Sequence, residues 1–150
     1  MTTILDTLTN DLTAAMKARD TFRTGVLRQA IGEIRAEEKA GKVARTLTDD
    51  ETLKVLAREV KKRRETAAIY TDAGATDRAQ NETAEADLIE TYLPAQMSDA
   101  EVEALVADVI ATVGATTIKD MGKVMKEATA RAGASVDGKK LSSLVRAALA

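Results

Sequence analysis

The segment YLPAQMSDAEVEALVADVIATVGATTIKDMGKVMKEATARAGASVDGKKL, residues 92–141, decides the fold of this chain. It contains the only proline, Pro94. Because proline cannot continue a helix, it separates the residues before it from those after it. Three apolar patterns with helical spacing follow, and each is bounded by a capping residue or a glycine. We therefore predict a small three-helix domain over residues 98–150, joined to the preceding residues by a linker at 94–97.

The first 93 residues also carry apolar side chains at helical spacing. The predicted helices span about residues 3–18, 21–40, 48–72 and 76–93. Arg19 and Asp20 form the turn between the first two helices, and the apolar pattern places Phe22 on the inward face of the second. No alternating strand pattern competes with these helices. The sequence thus predicts an all-α protein, with an N-terminal domain of helical hairpins over residues 1–93 and the three-helix domain after it.

Composition excludes several classes of chemistry. The chain has no cysteine and no histidine, so disulfides, thiolate nucleophiles and imidazole bases or metal ligands are absent. Paired carboxylates such as Asp49 and Asp50 lie at a helix start, where they favour the positive helix end. We therefore predict no catalytic residues, no metal and no cofactor. There is no apolar run of about 18 residues and no signal pattern, so we expect a cytoplasmic protein without a membrane segment.

The net charge of −2 is unevenly distributed along the chain. Residues 75–114 hold 1 basic and 9 acidic side chains, whereas residues 115–150 hold 7 basic and 3 acidic ones. The acidic overall balance therefore hides a basic C-terminal end. A basic patch of this kind is compatible with a nucleic-acid partner.

Six basic residues of the C-terminal segment form the candidate RNA-binding surface. Three lysines of the sixth predicted helix share one face because they are spaced i, i+4, i+7, and the other three lie on the last helix. The six residues are Lys119, Lys123, Lys126, Lys139, Lys140 and Arg146. One interpretation is a surface that contacts phosphates, and the other is a solvated face that keeps the domain soluble. Gly122, among these lysines, allows either a close approach of an RNA backbone or close packing against a neighbouring helix.

Arg63 is predicted to form a structural ion pair with Glu85. The helical spacing places Arg63 near the centre of the apolar stripe of the third helix, where a charge is costly unless it is paired. Both residues lie eleven positions from Gly74, at which the third and fourth helices turn, so they face each other in an antiparallel hairpin. The alternative is that Arg63 extends outward and joins Lys62 and Arg64 in an RNA-binding patch.

Four motifs in this order resemble the YqeY family. They are Tyr92-Leu93-Pro94, the helix segment Ile118–Met125, the turn Val136–Leu141 and the basic run Glu59–Glu65. The resemblance covers nearly the whole chain and implies two helical domains. It also implies that the C-terminal part is similar to the tail domain of the B subunit of glutamine-dependent tRNA amidotransferase, which contacts tRNA.

The resemblance and the charge distribution leave three functions open. The first is a non-catalytic RNA-associated protein that contacts structured RNA, with tRNA or a tRNA-handling enzyme as the partner and no DNA expected. The second is an accessory subunit in glutamine-dependent amidotransfer, since a carbon–nitrogen ligase activity with glutamine as donor is implied by domain membership alone. We do not expect that activity from this chain by itself, because it has no nucleotide-binding loop. The third is a protein-interaction module that uses the acidic residues 75–114 or an exposed groove between helices.

Overall fold

The computed structural model describes residues 2–150 and contains, over that range, only helical elements and connecting turns. The α-helices are α1 (Ile4–Lys17), α2 (Thr21–Glu38), α3 (Asp49–Asp72), α4 (Thr76–Glu90), α5 (Asp99–Val113), α6 (Met121–Ala132) and α7 (Gly138–Leu149). Short 3-10 turns, Ile118–Asp120 and Gly133–Ser135, flank α6. The prediction of an all-α protein is confirmed.

Local side-chain caps explain where several helices begin. Before α3, the Thr48 hydroxyl accepts a hydrogen bond from the Glu51 amide at 3.2 Å, and the Glu51 carboxylate accepts one from the Thr48 amide at 3.2 Å. This reciprocal arrangement satisfies two amide groups that the helix leaves without partners. Ser98 similarly accepts a hydrogen bond from the amide of Glu101 at the start of α5. These helix starts are therefore set by neighbouring residues in the sequence.

The chain folds as two compact units, Met1–Leu93 and Pro94–Ala150. In the second unit, the Gln96 side-chain amide donates a hydrogen bond to the carbonyl of Ala134 at 3.1 Å. The Met97 amide donates one to the carbonyl of Ser135 at 2.9 Å, and the Met97 side chain packs against the apolar core. Gln96 and Met97, at the end of the predicted linker, are thus held by the turn between α6 and α7.

The core of the first unit is built from aliphatic side chains of all four helices. Its most buried large residues are Leu8, Leu27, Ile34, Leu56 and Ile89. Phe22, which the sequence pattern placed inward, is 41% exposed. It occupies the first turn of α2, whereas the buried residues of that helix begin at Val26. The inward pattern predicted for α2 therefore extends one turn beyond the part of the helix that its neighbours cover.

The second unit closes around a smaller core. Its fully buried side chains come from α5, α6 and α7 and are Val102, Val109, Val124, Ala128, Leu141 and Val145. The partly buried Met121 and Met125 pack against this cluster. A flexible methionine fills irregular gaps between short aliphatic side chains, which fits a core without a single aromatic ring.

A buried guanidinium group connects three helices of the first unit. The Arg63 side chain on α3 is only 6% exposed, and its Nη1 forms an ion pair with the Glu85 carboxylate of α4 and lies 3.7 Å from that of Glu82. Its Nη2 donates a hydrogen bond to Oε1 of Gln29 on α2 at 2.7 Å. Burial raises the pKa of Glu85, and the charge of Arg63 opposes that shift. The apolar stripe of α3 thus contains a charge that is compensated by two neighbouring helices.

Replacing Arg63 by alanine is expected to lower the free energy of unfolding by about 3 kcal/mol, because Glu85 then remains partly buried without its ion-pair partner. The matched control is Arg58→Ala, which removes an ion pair to Glu37 from a side chain that is 64% exposed. That change is expected to cost less than about 1 kcal/mol. Urea unfolding followed by circular dichroism measures both values, and equal losses of stability would contradict the role of the buried pair.

A fragment spanning Pro94–Ala150 is expected to unfold cooperatively, since it contains a complete core. A fragment that begins at Ser98 lacks the hydrogen bonds of Gln96 and Met97 and is expected to melt at least about 5 °C lower. Thermal unfolding by far-ultraviolet circular dichroism compares the two. A non-cooperative transition in the longer fragment would show that this unit does not fold alone, and equal melting temperatures would rule out a role for the two anchoring residues.

Candidate nucleic-acid interface

The approach to α6 is organised by one carboxylate. Asp120 accepts hydrogen bonds from the backbone amides of Thr116 and Thr117 at 2.9 and 3.2 Å. These bonds lower the pKa of Asp120, with a smaller contribution from the nearby Lys123 charge. Because a carboxylate that accepts backbone amides fixes the chain around it, Asp120 holds the segment that carries Lys119 in a defined conformation.

The three lysines of the α6 region lie on its solvent face. Lys119, in the 3-10 turn, and Lys123 and Lys126, on α6, are all exposed. Val124 and Ala128 lie on the opposite face and are fully buried. At about 100° per residue, Lys123 and Lys126 are only about 60° apart around the helix axis. The sequence spacing and the exposure therefore agree on a row of cations pointing away from the core.

Two of the seven basic residues in this unit form ion pairs with α5. Arg131 lies 2.5 Å from the carboxylate of Asp108 and 3.0 Å from that of Glu127. Lys140 forms an ion pair with Asp99. These contacts orient Arg131 and Lys140 toward α5. Lys140 was predicted as part of the RNA-binding set, and the structure places it in an ion pair on the α5 side.

Five basic residues make no ion pair within the described part of the chain, residues 2–150. We call them the α6–α7 basic surface, and they are Lys119, Lys123, Lys126, Lys139 and Arg146. On α7, Lys139 and Arg146 lie about 100° to 120° around the helix from Lys140, away from the side that pairs with α5. On α6, Lys123 and Lys126 lie on the face opposite Val124 and Ala128. The five cations therefore lie on the exposed sides of α6, of α7 and of the turn before α6.

Gly122 lies on α6 next to Lys123, about 100° from it around the helix. The residue is exposed, and no atom of a neighbouring element lies within 4 Å of the position that a Cβ would occupy. The interpretation that Gly122 permits close packing against another helix is therefore wrong. A glycine inside a helix costs about 1 kcal/mol relative to alanine, and no helix contact accounts for that cost here.

The basic run of α3 is largely neutralised by carboxylates. Arg64 lies 3.0 Å from the carboxylate of Asp87 and also pairs with Glu90. The buried Arg63 is directed toward Glu85, so it does not join Lys62 at the surface. These pairs connect α3 to α4. The arginines of this run that match the family motif thus serve the packing of the first unit.

Among residues 2–150, no group of three or more carboxylates has the geometry of a metal site. The largest pKa shift belongs to Tyr92, whose pKa is raised to about 12 by burial and by a hydrogen bond that its hydroxyl donates to Asp11. That bond links α1 to the residues after α4. Within the same range, no helix is long and apolar enough to cross a membrane.

Replacing Asp120 by asparagine is expected to reduce the stability of the fragment Pro94–Ala150 at neutral pH. Because the pKa of Asp120 is lower in the folded state than in the unfolded state, its stabilising contribution is complete above about pH 4 and disappears as the pH falls through the folded value. The difference in melting temperature between the two proteins should therefore shrink between about pH 5 and pH 2. A difference that stays constant over this range would contradict the role of the carboxylate charge.

A comparison with curated proteins finds no match to this chain. A family model described as Yqey-like protein matches residues 5–149, which includes all seven helices except the first residue of α1. The matched range contains the Tyr92-Leu93-Pro94 segment, the basic run of α3 and the α6–α7 basic surface. Since the match extends over nearly the whole chain, the protein belongs to the YqeY family.

Proposed function

We propose that this chain is a non-catalytic RNA-associated protein that contacts structured RNA through the α6–α7 basic surface. The observation that carries the proposal is that some cations of the second unit form ion pairs and others do not. Arg131 and Lys140 are neutralised by α5 carboxylates, whereas five others are exposed without an ion-pair partner among the described residues. Clustered cations of this kind bind phosphates and release the counterions that surround nucleic acid.

The shape of the surface favours a folded RNA over an extended strand. The second unit contains no phenylalanine, tyrosine or tryptophan, so the α6–α7 basic surface has no ring on which a base could stack. Lysine and arginine side chains on two neighbouring helices can instead follow phosphates of a helical backbone, which is how double-stranded RNA is recognised by shape. The open space at Gly122 gives that backbone room to approach α6.

The partner within this proposal follows from family membership. The resemblance of the C-terminal part to an amidotransferase tail domain favours tRNA or a tRNA-handling enzyme in the cytoplasm, and gives no reason to expect DNA. Participation in glutamine-dependent amidotransfer as an accessory subunit is the second function that the family suggests. It requires a partner that supplies ATP binding and ammonia, and the described residues contain no group suited to either task. We therefore place RNA contact first.

Reversing two charges of the lysine row, with Lys119→Glu and Lys123→Glu together, is expected to weaken binding of the full chain to folded tRNA. The logarithm of the binding constant falls with the logarithm of salt concentration, and the slope should become shallower by about one unit for each phosphate that the protein no longer neutralises. Fluorescence anisotropy over about 50 to 200 mM salt, a range in which such binding weakens strongly, measures the slope.

The matched control reverses two exposed lysines of α3, Lys54 and Lys62, and so makes the same change in net charge in the other unit. It should leave most of the affinity and most of the salt slope in place. If both double variants weaken binding equally, the effect reflects net charge and the α6–α7 basic surface is not the interface. If wild-type chain does not bind folded RNA at all, the proposed function is wrong.

A further inference from the structure

The corner between α1 and α2 combines positive charge with an exposed aromatic ring. Residues 12–32 contain one carboxylate and four basic side chains, which are Lys17, Arg19, Arg23 and Arg28. The carboxylate, Asp20, accepts a hydrogen bond from the Arg23 amide at 3.0 Å and is occupied as the cap of α2. None of the four cations forms an ion pair within residues 2–150. This arrangement contrasts with α3, where Arg58, Arg63 and Arg64 all pair with carboxylates.

Phe22 is the only phenylalanine of the chain, and it lies in the first turn of α2 at this corner. Its side chain is 41% exposed, and it lies within one helical turn of Arg19 and Arg23 along the chain. Gly25, three residues further on, shares the same side of the helix and has no atom within 4 Å of its Cβ position. The surface next to the Phe22 ring is therefore open.

Arg19 adds a second observation at the same corner. Its φ of 56° is in the left-handed region, and Arg19 is the one residue other than glycine with this conformation among residues 2–150. Glycine would adopt that conformation at lower cost, as it does at Gly74 and Gly114. An arginine retained where the backbone favours glycine points to a use for its side chain.

We propose that this corner binds an unpaired nucleotide of RNA, with the base stacked on Phe22 and its phosphates near Arg19 and Arg23. The inference rests on the proposed function and extends it to a second surface, in the first unit. A base presents one flat face to one ring, whereas a protein partner needs a larger apolar anchor buried at the centre of an interface. Met16, the other exposed apolar residue here, is 49% exposed and contacts Nη2 of Arg28 through its sulfur at 3.7 Å, so the exposed apolar surface is limited to two side chains. The exposed apolar surface thus fits a base better than a protein.

Phe22→Leu tests the stacking, because it keeps an apolar side chain of similar size and removes the ring. The full chain is titrated with two RNA probes of equal phosphate number, a hairpin with an unpaired loop and a fully paired duplex. We expect the variant to bind the loop hairpin about 5- to 100-fold more weakly than wild type and the duplex within about twofold. Phe22→Tyr should restore loop binding, since it restores a ring.

Arg19→Gly tests the charge without a loss of stability. The variant should melt at the same temperature as wild type or higher, because glycine accepts a positive φ, and should still bind the loop hairpin more weakly. Weaker binding together with undiminished stability cannot be attributed to unfolding. Lys119→Glu with Lys123→Glu serves as the reference, because it should weaken both probes.

Three outcomes distinguish the Phe22 site from the α6–α7 basic surface. If wild type binds both probes and Phe22→Leu binds the loop hairpin as wild type does, the Phe22 site is wrong and the α6–α7 basic surface is unaffected. If the Phe22 and Arg19 variants lose loop binding while the Lys119 and Lys123 double variant loses nothing, RNA binds the first unit and the proposed interface is wrong. If wild type binds neither probe, both are overturned.

Discussion

The helix packing of the first unit depends on the polar partners of one buried guanidinium group. Arg63 lies in the apolar stripe of α3, so its partners have to come from the packed helices. Glu85 supplies the opposite charge from α4, and Gln29 supplies a neutral acceptor from α2. Apolar side chains pack acceptably in several rotations of a helix, whereas the contacts of Arg63 with Glu85 and Gln29 require a particular position of each helix, and Nε of Arg63 is buried without a hydrogen-bond partner among the described residues. These polar contacts therefore favour one relative position of the three helices.

The pairing of cations separates structural charge from charge that is available for binding. On α3, Arg63 and Arg64 of the basic run both reach carboxylates of α4, so these two arginines, which look suited to nucleic acid in the sequence, are used for packing. In the second unit, α5 neutralises two cations and leaves the α6–α7 basic surface without ion-pair partners in the described range. The number of basic residues in a segment is therefore a weaker guide to an interface than the identity of their neighbours.

Features that rest on short sequence separations could be predicted from the sequence. The capping box at Thr48 and Glu51 and the helices that follow such caps need only neighbouring residues, and the structure brings Arg63 and Glu85 together because a single turn at Gly74 relates them. The lysine row of α6 likewise follows from helical spacing.

Features that depend on how distant segments pack could not be predicted in the same way. The ion pair of Lys140 with Asp99 joins residues 41 positions apart, and the periodic pattern gave no indication of it. The exposure of Phe22 depends on where the neighbouring helices stop covering α2. The assignment of the basic residues to RNA binding remains a prediction, because it concerns a molecule outside the chain.

The hydrogen bond between Tyr92 and Asp11 has a consequence for spectroscopy. Every aromatic residue of the chain lies in the first unit, since Phe22, Tyr70 and Tyr92 all precede Pro94. A tyrosine that donates to a carboxylate and is partly buried loses that environment when α1 separates from the end of α4, so its near-ultraviolet dichroism reports the first unit alone. Helix content in the far ultraviolet reports both units. The intact chain thus carries two optical signals that resolve the unfolding of each unit without any label.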